Sequence, residues 1–161
     1  MVIDRLNRWL GENLCWLYLV AVLATAYEVV MRYLFNAPTD WAFELTILLC
    51  GICYLLAGGW VTQKDAHIAI TSLLQLTPPR LKYALRLFAM LVGLIAMAGL
   101  AWAAWRPGLR ALTIVERTGS AWNSPAPAII KPLIFVAAVL VFLQLAVDLV
   151  RLLRAGPERA R

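Results

Sequence analysis

Residues 87–105 read LFAMLVGLIAMAGLAWAAW, nineteen positions without a charge. A hydrocarbon core about 30 Å thick is crossed by about 20 mostly apolar helical residues, so this stretch commits the chain to a bilayer. Working outward, three more stretches of similar character lie at 14–34, 45–61 and 133–147. Little polar chain is left, since 63% of the 161 residues are hydrophobic and 15% are charged. The sequence therefore predicts an all-α integral membrane protein, one domain over 1–161 with four transmembrane helices and no separate soluble unit.

Charge sets the expected orientation. The formal net charge is +6, from 15 Lys plus Arg against 9 Asp plus Glu. In a soluble chain this balance would suggest a nucleic acid; here the cations flank apolar spans, and no nucleic acid is expected. Ten of them (Arg5, Arg8, Lys64, Arg80, Lys82, Arg86, Arg151, Arg154, Arg159, Arg161) fall on one side of the four-span topology and five (Arg32, Arg106, Arg110, Arg117, Lys131) on the other. Positively charged loops stay inside, so both termini and the middle connection are expected in the cytoplasm of a bacterial inner membrane. Ala24-Thr25-Ala26 resembles a signal-peptidase site, but apolar character resumes at Val29-Val30-Met31 and acidic Asp4 and Glu12 occupy the flank that should be basic. The first span is therefore expected to stay uncleaved.

Two stretches are apolar on one side only. In 1–11, Val2, Ile3, Leu6 and Leu10 recur at helical spacing between charges, and Gly11 is expected to end a short surface helix before the first span. In 68–76, Ile68, Ile70, Leu73, Leu74 and Leu76 form a segment too short to cross, stopped by Pro78-Pro79. Residues 155–161 read as a disordered tail. The loop from Arg106 to Lys131 is the longest, and the fourth span is expected to follow Pro132, which suits a first-turn position.

The polar residues near the span ends are the candidates for function. Glu28 is costly within an apolar span, and Arg32 lies four residues on along the same helix face, so the two are expected to pair. Asn36-Ala37-Pro38-Thr39-Asp40 makes a turn, with Thr39 or Asp40 expected to cap the second helix. Trp41 and Glu44 are expected to fix the start of that helix, and Gly58-Gly59 to let another helix come close. Asp148 and Arg151, one turn apart, are expected to pair.

Enzyme chemistry finds little purchase. The single histidine, His67, cannot by itself form a haem or zinc site, so no metal and no cofactor are expected. Cys50-Gly-Ile-Cys53 has the spacing of a redox pair, which leaves a membrane thiol oxidoreductase as one alternative; but Cys50 lies six residues past Glu44, about 9 Å along the axis, where a thiolate is disfavoured. A small proton-coupled exporter using Glu28 is the other alternative. Against it, the spans lack the matched Gly/Pro interruptions at mid-depth that mark a transport site. What remains is a non-enzymatic subunit that packs against a larger membrane partner.

The run Glu28-Val-Val-Met31-Arg32-Tyr33-Leu-Phe35-Asn36, then Pro38 and Trp41-Ala-Phe-Glu44-Leu45, resembles the signature of the small (DctQ-type) membrane subunit of tripartite ATP-independent periplasmic (TRAP) transporters. The glycine-containing end of span two, the basic Lys64, His67-Ile68 with alternating aliphatics, and Pro78-Pro79-Arg80-Leu81 continue the likeness, which is most specific over residues 28–81. The resemblance implies four spans with both ends inside. It also implies a large membrane subunit holding the substrate and sodium sites, and a periplasmic solute-binding protein that delivers an organic acid, a C4-dicarboxylate or similar carboxylate. An ion gradient would drive uptake, and this subunit would serve as scaffold. On that reading Glu28, Arg32, Trp41, Glu44, Lys64 and His67 meet the large subunit or lipid, and Arg106, Arg110 and Arg117 meet the binding protein.

Overall fold

A computed structural model describes residues 2–63 and 78–155. Four helices make up nearly all of it: α1 (Val2–Tyr33), α2 (Ala42–Gln63), α3 (Pro79–Thr113) and α4 (Ala126–Ala155). Each is long and apolar enough to cross a membrane. At 1.5 Å per residue the 35-residue α3 is about 52 Å long, so it projects beyond a hydrocarbon core of about 30 Å.

The helices form two hairpins, α1 with α2 and α3 with α4. The hairpins join mainly through α2 against α4, and α1 touches α4 more lightly. Among the described residues α3 packs along α4 and makes no comparable contact with α1 or α2. The result is an open row, α1–α2–α4–α3, with two outer helices. The buried apolar positions are mostly small: Ala21, Ala24, Ala42, Ala111, Ala128, Ala137 and Ala138, with Leu14, Cys53, Met90 and Leu152. Lipid tails are as apolar as leucine, so large side chains gain little by leaving them, whereas small ones let helices pack closely. Accordingly Trp9, Trp16 and Leu23 on α1, and Phe88, Ile95 and Trp102 on α3, point outward at seven-residue spacing.

Several boundaries differ from the sequence reading. Gly11 does not end a surface helix; α1 runs straight through it. A Cβ there would lie 2.4 Å from the Trp60 ring, so the Trp60 side chain of α2 packs directly over Gly11, and the missing side chain serves contact rather than a break. The third helix does not stop at Trp105 but continues through Pro107 to Thr113, and α4 starts at Ala126 with Pro132 inside it. A Cβ on Gly108 would meet the Pro132 Cα at 3.1 Å, so the two irregular points face each other where the hairpin closes. The long loop therefore shortens to residues 114–125. Gly58 and Gly59 do receive neighbours: added Cβ atoms would meet Val141 at 3.2 Å and the Asn7 Oδ1 at 2.6 Å. Lys64, His67, the 68–76 segment and residues 156–161 lie outside the described residues.

Candidate functional site

The polar groups gather at the two ends of the row. At the loop end, the penultimate turn of α1 carries Glu28, whose side chain is mostly covered. Arg32, one turn on, donates to its Oε1 from Nε at 3.0 Å and Nη2 at 2.5 Å. The chain then turns back through Asn36, in the left-handed conformation (φ 50°), and the Ala37 N–H closes on the Met31 carbonyl at 3.0 Å. Asparagine tolerates that geometry, which lets the turn end the helix. The turn delivers Thr39, whose N–H (3.0 Å) and hydroxyl both donate to the Glu28 Oε2. Thr39 thus satisfies Glu28 rather than capping α2. Each oxygen of the carboxylate is held twice, and its charge is balanced by Arg32. Trp41 lies beside this group, stacked on Tyr27 with centroids 5.8 Å apart.

Glu44 belongs to a second cluster at the same end. From the first turn of α2 it reaches the α3–α4 loop, accepting from the hydroxyls of Thr118 (3.1 Å), Ser124 (2.5 Å) and Ser120, and from the Ser124 N–H (3.4 Å). The loop is shaped to present them. Gly119 (φ 71°) donates its N–H to the Asn123 side chain, Arg117 donates to the Asn123 carbonyl at 3.1 Å, and the Thr118 N–H reaches the Ser124 carbonyl at 3.1 Å. Lys131 Nζ holds both oxygens of Glu116 at 2.6 and 2.7 Å. Glu44 therefore fastens one hairpin to the other.

The expected trio Arg106, Arg110 and Arg117 is split. Arg106 and Arg110 line a pocket of about 490 Å³ with Pro107, Ile114, Glu116 and Lys131, whereas Arg117 is held in the loop and does not line it.

The terminal end carries a cluster that the sequence reading missed in large part. Asp148 and Arg151 pair as their spacing implies, Nη1 to Oδ1 at 2.9 Å. Arg151 also donates to Asp4 of α1 at 2.6 Å. Gln144, fully buried, donates to Asp4 (3.3 Å) and Asp148 (3.0 Å) and accepts from the equally buried Asn7 at 2.9 Å. Asp4, Arg151, Asp148 and Gln144 close a ring that ties the start of α1 to the end of α4. Gln144 is a lone amide in an otherwise apolar run, and Asn7 follows Asp4 by one turn; these were the available signals. A pocket of about 420 Å³ opens beside the ring, lined by Asp4, Arg5, Arg8, Gln63 and Arg151.

Between the ends, polar groups are few. Thr25, Thr46 and Thr62 each donate to the carbonyl four residues earlier. The buried Cys53 thiol faces the Leu14 carbonyl at 3.6 Å, and Cys15, Cys50 and Cys53 are all free thiols. Tyr18 and Tyr54 meet edge-on with their hydroxyls 2.9 Å apart, and Tyr54 is largely exposed. Tyr54 lies 12 residues from the start of α2, about 18 Å along it and so near mid-depth.

Comparison with known proteins agrees with this picture. A family model described as "Tripartite ATP-independent periplasmic transporters, DctQ component" matches residues 21–155. A protein of Vibrio cholerae named as the C4-dicarboxylate TRAP transporter small permease protein DctQ is 32% identical over 89 residues. That match covers 53% of this chain and 38% of the relative's length.

Proposed function

Because the chain belongs to the DctQ family of TRAP transporters, and is thus a multi-pass small permease subunit rather than an enzyme, we propose that it scaffolds a large membrane subunit that carries out ion-gradient-driven, binding-protein-dependent uptake of an organic acid. The observation that carries this reading is how the polar side chains are used. Glu28 and Glu44 accept from neighbours on both oxygens, and the ring at the terminal end closes on itself. No convergent set of free polar groups opens toward mid-depth among the described residues. A proton-coupled exporter would need such a carboxylate, and Glu28 is already spent on Arg32 and Thr39.

The substrate class, a C4-dicarboxylate or similar carboxylate, is proposed from the name of the Vibrio relative and from the family resemblance. Both termini in the cytoplasm of a bacterial inner membrane, and sodium as the coupling ion, complete the proposal. The polar groups at the span ends, Glu28, Arg32, Trp41, Glu44, Lys64 and His67, are proposed to border the large subunit or the lipid headgroups. Tyr54 favours the α1–α2 face for the large subunit. Whichever tyrosine donates in the Tyr18–Tyr54 pair, one phenolic hydrogen is left over at mid-depth, and hydrocarbon offers it no acceptor. The loop at 114–125, with Arg117, is proposed to face the binding protein; Arg106 and Arg110 lie on α3 and line the pocket that this loop borders through Ile114 and Glu116.

Reconstitution tests the scaffold role. Vesicles holding this chain alone should move no organic acid under an imposed sodium gradient, and vesicles that also hold the large subunit and binding protein should. Uptake by the chain alone would refute the reading. Arg32→Ala should lower the yield of large subunit co-purified through a tag on this chain; unchanged yield and uptake would remove the loop-end contact.

A further inference from the structure

Of the five basic residues at the loop end, three are engaged: Arg32 by Glu28, Lys131 by Glu116 and Arg117 by the Asn123 carbonyl. The guanidinium groups of Arg106 and Arg110 have no hydrogen bond or ion pair among the described residues. They lie one turn apart on α3 and share the pocket of about 490 Å³ where α3 meets the start of α4. The one acid in that pocket, Glu116, is neutralised by Lys131, which leaves the pocket net positive.

A second observation indicates what the pocket takes. Beneath it, on the helix that among the described residues packs mainly along α4, runs a strongly exposed apolar stripe: Trp102, Ile95 and Phe88, at 83%, 75% and 67% exposure. Arg106 follows Trp102 by one turn, so the cationic pocket and the stripe are continuous. Ile95 lies 11 residues below Arg106, about 16 Å along the axis, close to the depth of one leaflet, half of a core about 30 Å thick. Trp105, packed on Phe135 with ring centroids 5.0 Å apart, marks the headgroup level beside the pocket.

We propose that Arg106 and Arg110 bind the phosphodiester of an anionic phospholipid in the leaflet at the loop end, with an acyl chain lying over Trp102 and Ile95. Two guanidinium groups one turn apart supply several N–H donors in planar sets that match phosphate oxygens. An acidic protein segment would satisfy the arginines but leave the stripe unexplained. The inference rests on the chain being embedded in a bilayer and is independent of the transport role.

The test measures binding of phosphatidylglycerol to the delipidated full chain by native mass spectrometry, with phosphatidylcholine of the same acyl composition as reference. The Arg106→Gln/Arg110→Gln double variant should lose at least tenfold in phosphatidylglycerol affinity and keep its phosphatidylcholine background. Arg106→Lys/Arg110→Lys should fall between. Trp102→Ala, which leaves the charges in place, should also weaken phosphatidylglycerol binding and serves if the double variant does not fold. Glycerol phosphate at millimolar concentration should not displace the lipid; full displacement would mean a site for free phosphate esters and would overturn the proposal. So would unchanged phosphatidylglycerol binding by the double variant, including the case in which that variant instead loses capture of the solute-binding protein.

Discussion

Glu28 shows how a carboxylate is carried at the end of an apolar helix. Its ion-pair partner, Arg32, was readable from the four-residue spacing alone. Thr39 was not, because its contact depends on the path of the turn, and that path is set by Asn36 in a left-handed conformation that no pattern of hydrophobicity records. The same limit applies to Glu44, which could be assigned to a first helical turn but not to Thr118, Ser120 and Ser124 more than 70 positions away. Val115 is the strained counterpart of Asn36. It sits at φ 46° at the end of α3, where the Glu116 N–H reaches back to the Ala111 carbonyl at 3.1 Å. Glycine is the usual residue there. The left-handed conformation costs an L-residue about 1–2 kcal/mol, part of which glycine gives back through its freer unfolded chain. Val115→Gly is therefore expected to stabilise the protein by about 0.5–1 kcal/mol, read as a rise of roughly 1–4 °C in the unfolding midpoint of the detergent-purified chain. A lower midpoint would mean that the Val115 side chain contributes packing that outweighs the strain.

At the scale of elements, the four helices were legible because their lengths of apolar sequence are set by the bilayer. Their ends were not. Proline and glycine stop helices in water, where exposed backbone groups find solvent, but are tolerated near or within membrane helices when neighbouring helices and local adjustments satisfy the backbone. Hence Pro107 and Pro132 lie inside α3 and α4, and α1 passes through Gly11 without a break. Gly11 is better understood as the α1–α2 contact point. Gly11→Ala would press a methyl group into the Trp60 ring and should cost about 1–3 kcal/mol through overpacking. The measurement is thermal unfolding of the variant, paired with Gly99→Ala, whose added Cβ meets nothing within 4 Å. Equal behaviour of the two variants would show that α2 yields easily at this point.

At the scale of the molecule, charge counting and span counting gave a four-helix unit, but not which helices touch. That order depends on small residues and on buried amides whose partners lie far apart in sequence. The Asn7–Gln144 bond spans 137 positions and joins α1 to α4, which beyond the polar groups at this end share little contact. Amide hydrogen bonds between membrane helices contribute about 0.6–2 kcal/mol. Gln144→Leu should therefore destabilise the chain by about 1–2 kcal/mol, since it also strands the Asn7 amide. Asn7→Leu/Gln144→Leu should cost less than the two single changes added together, as a double-mutant cycle would measure. Strict additivity would mean that the two amides do not act as a unit.

The pairing of helices has a bearing on biosynthesis. Each neighbouring couple, α1 with α2 and α3 with α4, is a self-contained insertion unit, so the ribosome can release the first couple into the bilayer before the second has been made. Fragments 1–70 and 71–161, translated as separate polypeptides in one cell, should reassociate and co-purify, drawn together by the α2–α4 seam and the Glu44 clasp. Failure to recover one fragment with the other would show that covalent continuity, rather than the seam, keeps the halves together.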